Sequence, residues 1–142
     1  MTQTLTPEEL MSKTVTAADL KDFYTKEEKK KLRELFENDV SEFAEALCKD
    51  VVTTDIPEFH REIYGMLTKE DRIALAAPRG YAKSTIIAKI YPLWLVLTKK
   101  RKDICIVSAS ETLAVDHMRW IKLALESSNL INYFWGNLQS PK

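Results

Sequence analysis

Lys83, Ser84 and Thr85 are the residues whose types and spacing most clearly suggest chemistry. They follow a short apolar run, Ile73–Ala76, that reads as a buried strand. A break at Pro78, Arg79 and Gly80 separates the two, and an apolar helix is expected from Lys83 onward. Strand, tight loop and Lys-Ser/Thr at a helix start is the order of a phosphate-binding loop. The N–H groups of such a loop and of the first helical turn lack intrahelical acceptors and can point at phosphate oxygens. Lys83 would bring a cation to the β- and γ-phosphates, and the Ser84 hydroxyl would be a hard oxygen ligand for Mg²⁺. The pattern G-x-x-x-x-G-K-[ST] is met imperfectly, because Ala77 and Ala82 occupy the glycine positions and Gly80 lies inside the loop. An Ala held at positive φ costs about 1–2 kcal/mol, so the loop is expected to take a backbone path of its own. The competing reading is a strand-to-helix turn that happens to carry Lys-Ser-Thr.

The elements that must hold this loop divide the chain in two. Before residue 55 the pattern is helical. Thr6 to Glu9 has the order of a helix start, and Thr16 to Tyr24 is compatible with a short helix. Thr25 caps a longer one with Glu28 at N3. Ser41 to Lys49 continues helically, Thr53 to Pro57 breaks the pattern, and Glu58 to Leu67 is amphipathic through Phe59, Ile63, Met66 and Leu67. From Ile73 the order becomes strand, helix, strand, helix. The helix from Lys83 is apolar on most sides and should kink or pause at Pro92. Asp103 leads into a second strand, Ile104–Val107, and Ser110 caps a helix from Glu111 to about Ser127. That order predicts an α/β fold with parallel strands and right-handed crossovers. The loop Pro78–Ala82 would then lie beyond the carboxyl ends of the strands, where such sheets hold ligands.

Three segments together resemble a known family: Asp55 to Ile63, Ala77 to Thr85, and Ile104 to Ser110 with the helix after it. They are similar to the N-terminal part of the ATPase domain of the large terminase subunit, the motor that packages viral double-stranded DNA into procapsids. The P-R-G-x-[GA]-K-S-T loop is the most specific of the three, and irregular loops with an early Arg are usual in that family. The resemblance implies a helical extension over residues 1–54. Residues 55–142 would be the N-terminal part of a phosphate-loop ATPase domain whose incomplete parallel sheet has about two strands. It implies ATP and Mg²⁺ as ligands, bound through Pro78, Arg79, Gly80, Tyr81, Ala82, Lys83, Ser84 and Thr85, with Ser84 on the metal and Arg79 and Lys83 as catalytic groups. Double-stranded DNA, a portal protein, a small terminase subunit and further copies of the chain are the implied partners, in the cytoplasm of an infected host cell. The family's strand ending in Asp, which organises Mg²⁺, and the Glu after it have no counterpart here. The chain is accordingly expected to be truncated before that strand, and to bind nucleotide without turning it over. Two alternatives stay open: another phosphate-loop ATPase or kinase of helicase-like type, and a non-enzymatic interaction fragment with a vestigial loop.

Other residues give weaker signals. Arg79 either stabilises charge on a transferred phosphoryl group, as its family counterpart implies, or orders the loop by binding a carboxylate. Tyr81 covers the loop and is given no catalytic role. Phe59 could stack on a nucleotide base, as the resemblance implies, but its place on an apolar stripe favours the core. His60 and His117 have no second ligand at i+4, so neither suggests a metal site. Asp116 and His117 point to different sides of a helix, so they form no triad with Ser108. The basic turn Lys99–Lys102 reads either as a phosphate contact or as a solvated loop. Eight acidic residues between Leu35 and Glu62 make a face that should repel DNA.

Composition sets outer bounds. The chain has 142 residues, 45% hydrophobic and 30% charged, with a formal net charge of zero. Its charge as a whole therefore makes no case for nucleic-acid affinity. The longest apolar stretch, Ile86–Leu97, is interrupted by Lys89 and is too short to span a membrane. Residues 1–7 are too polar for a signal peptide. Cys48 and Cys105, far apart and outside any C-x-x-C, are expected to be reduced core thiols of a cytoplasmic protein.

Overall fold

A computed structural model describes residues 24–138. The short helices expected near Thr6 and at Thr16 to Tyr24 lie outside, or almost outside, these residues. The described chain is helical: α1 (Lys26–Asn38), α2 (Val40–Leu47), α3 (Glu58–Lys69), α4 (Lys83–Thr85), a π-helical segment Ile86–Ile90, α5 (Tyr91–Thr98), α6 (Glu111–Ser127) and α7 (Asn129–Trp135). Helix α1 starts with a complete capping box. The Thr25 hydroxyl accepts from the Glu28 N–H, and the Glu28 carboxylate accepts from the Thr25 N–H at 2.9 Å. The Thr25 N–H and the Thr25 hydroxyl, both donating to the Glu28 carboxylate, hold its carboxyl below the ordinary pKa. The Asp39 side chain caps α2, and Ser110 and Ser128 cap α6 and α7.

Segments α4, π and α5 run on as one rod through the middle of the fold. The Tyr91 N–H bonds to the Ile86 carbonyl, one residue further back than in an α-helix. The cause is next in sequence. Pro92 has no N–H for the Ala88 carbonyl and its ring would crowd it, and the wider π turn relieves both. The rod therefore passes Pro92 without ending. Its buried residues Ile86, Ile90, Leu93, Trp94 and Leu97 meet Phe36, Val40, Phe43 and Ala44 from α1 and α2, and Ile121, Ile131 and Phe134 from α6 and α7. The Trp94 indole N–H donates to the Phe36 carbonyl at 2.8 Å, so the largest side chain of the core also has its polar atom satisfied. Tyr91 Oη donates to the Leu67 carbonyl at 2.6 Å and fastens the rod to the end of α3. Arg61 on α3 reaches Glu45 at 2.9 Å and Glu42 at 3.6 Å on α2, which neutralises part of the acidic face. The acceptor of Lys100 in the basic turn is the Glu37 carbonyl at the end of α1, 3.1 Å away.

The expected α/β fold is not what forms. Among the described residues there is no strand and no sheet, so neither the parallel pair nor the incomplete phosphate-loop sheet is present. The two apolar segments carry no regular secondary structure, and each turns alternate residues inward. Leu75 and Ala77 are half-buried beside exposed Ala74 and Ala76, and Ile104 and Ile106 are half-buried beside exposed Cys105 and Val107. That is the period of a strand without its ladder, since no backbone hydrogen bond joins residues 73–77 or 104–107 to other described residues. A strand exists only where a second one accepts its bonds. Leu75, Ile104 and Ile106 instead lie against the helical core one by one. No helix among the described residues is long and apolar enough to cross a membrane.

Candidate functional site

Loop 78–82 joins segment 73–77 to the rod. Residues 79–80 turn, with Gly80 at φ +91°, and Ala82 stands left-handed at φ +54°, ψ +20° immediately before α4. The expectation that the loop would avoid positive φ at Ala82 is overturned. The position where a glycine would ordinarily stand keeps its left-handed backbone and bears the Cβ strain. A left-handed residue followed by a right-handed helical one curves the chain so that successive N–H groups face one concavity, the shape that binds anions. The N–H groups of Lys83, Ser84 and Thr85 have no backbone acceptor before them, and the first bond that closes the turn runs from the Ile86 N–H to the Ala82 carbonyl at 3.0 Å.

The side chains expected at this site are all within the loop and the first turn. The Lys83 amine folds back across the loop and donates to the Pro78 carbonyl. Ser84 is exposed, and Thr85 is half-buried against the rod. Arg79 is exposed and makes no ion pair with a described residue. Ordering of the loop by an Arg79–carboxylate contact is therefore not seen. Among the described residues no group of three or more His, Cys, Asp or Glu is gathered that could hold a metal. A magnesium ion here would take Ser84 Oγ as its protein oxygen and draw its other ligands from phosphate and water, as that hard cation commonly does.

Sequence reasoning missed how α3 meets this loop. Phe59 was expected in the core, yet it is 37% exposed and its ring lies 5.2 Å from that of Tyr81. His60 Nε2 is 3.2 Å from the Tyr81 carbonyl, and the Phe59 and His60 rings meet edge to face at 4.3 Å. The start of α3 thus clasps the tip of the loop through one residue, Tyr81, which is itself 44% exposed. An apolar stripe on a helix does not say whether its end faces the core or a neighbouring loop, so the sequence carried no signal for this contact.

Other parts of the molecule sort differently from expectation. Cys48 is buried, and desolvation beside Asp50 pushes its thiol well above the ordinary range. Cys105 is exposed rather than a core thiol. Asp116 pairs with Arg119 at 2.9 Å, and His117 is half-buried with Nδ1 unpartnered, so no triad is assembled. The cleft of about 550 Å³ between Leu67, Asp71, Tyr91, Trp94, Lys100 and Arg101 does not include the loop. The loop is instead open to solvent, which suits a ligand recognised by amides and charge. No family model, curated protein or solved structure matches this chain.

Proposed function

We propose that loop 78–85 binds the phosphates of a magnesium nucleotide, and that the chain is the nucleotide-binding portion of a DNA-packaging ATPase of the large-terminase type. The observation that carries the first half is the backbone at Ala82 and Lys83. A left-handed residue is held at a cost immediately before a helix whose first three N–H groups have no backbone acceptor. Lys83 is already folded over the same loop, and its bond to Pro78 would be exchanged for one to phosphate oxygen. Arg79, exposed beside it, is free to reach the same anion.

The second half rests on the resemblance of residues 55–63, 77–85 and 104–110. ATP hydrolysis coupled to movement of double-stranded DNA, with a portal protein and a small terminase subunit as partners, belongs to this reading as a whole. The helical fold and the Lys83–Pro78 bond favour a second reading, in which the loop is a vestigial element of an interaction fragment. Titration of ¹⁵N-labelled protein with Mg-ADP and with inorganic pyrophosphate separates the two. Binding at the loop predicts amide shifts concentrated from Gly80 to Ile86 with both ligands. Shifts scattered over the surface, or none, would favour the vestigial loop.

A further inference from the structure

An L-residue persists in the left-handed region only where its surroundings over-determine it, and at Ala82 both flanking peptide planes are pinned. On the carboxyl side, the Ala82 carbonyl accepts from the Ile86 N–H at 3.0 Å, within the first turn of the rod. On the amino side, the Tyr81 carbonyl lies 3.2 Å from Nε2 of His60, on a different element. We propose that His60 is the positioning residue of loop 78–85, holding the Tyr81–Ala82 peptide in the orientation that makes Ala82 left-handed. What this does for a ligand rests on the phosphate-binding reading of the loop; the placement itself does not.

The chemistry of the pair fixes its direction. A carbonyl oxygen can only accept, so the imidazole must carry a proton on Nε2 to bond there. Across a planar trans peptide the N–H points opposite to the C=O. The Ala82 N–H is therefore turned away from His60, and it has no backbone acceptor among the described residues. The bond that sets Ala82 thus leaves its amide open beside those of Lys83, Ser84 and Thr85, as an anion-binding concavity requires.

His60 is offered from a fixed element. Its own N–H bonds to the Pro57 carbonyl at 2.9 Å in the first turn of α3, whose Ile63 and Tyr64 are buried. The neighbouring Arg61 ties that helix to Glu45 of α2 at 2.9 Å. Phe59 supports the contact, its ring 4.3 Å from that of His60 and 5.2 Å from that of Tyr81. A loop arranged before its ligand arrives loses less freedom on binding, so removal of the His60 bond should weaken an anion held there.

NMR of the 142-residue chain tests the placement without any ligand. At neutral pH the wild-type imidazole spectrum, which needs no variant, should show a His60 proton on Nε2. His60→Phe keeps a ring beside Phe59 but removes the donor, and should move the Ala82 Cα and Cβ shifts away from left-handed values. His60→Gln returns an N–H donor at similar reach and should restore them, a rescue that a merely space-filling His60 would not show. Titration with inorganic pyrophosphate then reads the consequence. Binding should weaken by roughly threefold to tenfold in His60→Phe and recover in His60→Gln. A bare Nε2, or Ala82 shifts that His60→Phe leaves unchanged, would overturn the proposal. So would shifts that His60→Gln fails to restore, or measurable pyrophosphate binding that is equal in all three proteins. If the wild type binds no pyrophosphate while the imidazole and Ala82 results hold, the phosphate-binding reading falls and the positioning role stands.

Discussion

At the scale of single residues, Ala82 is one of two non-glycine positions among the described residues with a left-handed backbone, the other being Lys99 at the end of α5. The Ala82 φ of +54° belongs to glycine, and an L-residue there costs about 1–2 kcal/mol. Glycine would remove that strain at an entropic cost of about 0.5–1 kcal/mol. Ala82→Gly is therefore expected to leave stability unchanged or raise it by up to about 1.5 kcal/mol, read from urea unfolding. A clear loss of stability would mean that the left-handed conformation is not the native one. The Lys-Ser-Thr signal was legible in the sequence because its chemistry is local to three adjacent residues. The clasp on Tyr81 by Phe59 and His60 was not, because it joins positions some twenty residues apart through a carbonyl and a ring face.

At the scale of elements, caps decided what could be read. Thr25 with Glu28 marks the start of α1, and Ser110 marks that of α6, whose end at Ser127 also agrees with its apolar stripe. Helix α7 was missed although Ser128 caps it and Leu130, Ile131 and Phe134 follow at helical spacing. Only seven residues carry that pattern. The two expected strands failed for the opposite reason: a strand's stability sits in its neighbour, and residues 73–77 and 104–107 have none among the described residues. The capping box gives a pH-dependent prediction. Thr25→Ala should destabilise the fold by about 1 kcal/mol at neutral pH. Glu28 has a folded pKa below its unfolded one, so its share of the cap is fully present above the unfolded value. It is lost as pH falls through the folded value. The gap between wild type and Thr25→Ala in urea midpoint should thus narrow on acidification. A gap that widens in acid would contradict the role assigned to Glu28.

At the scale of the whole molecule, one rod is shared by everything around it. Ile86 to Leu97 supplies the centre of a core that α1 and α2 cover on one side and α6 and α7 on another, and the loop is held at the rod's exposed start. The binding reading therefore makes a narrow demand: amides, Lys83 and Ser84 suffice for a phosphate ligand, while hydrolysis needs carboxylates to organise the metal and the water. The loss of one positioned catalytic group lowers a rate by roughly 10²–10⁴-fold. Calorimetric titration of the 142-residue chain with Mg-ADP, run beside Lys83→Ala and paired with phosphate release from ATP, is the most direct test. Weak binding that Lys83→Ala abolishes is expected, with phosphate release at background with or without DNA. No heat of binding to the wild type, or binding that survives Lys83→Ala, would contradict it.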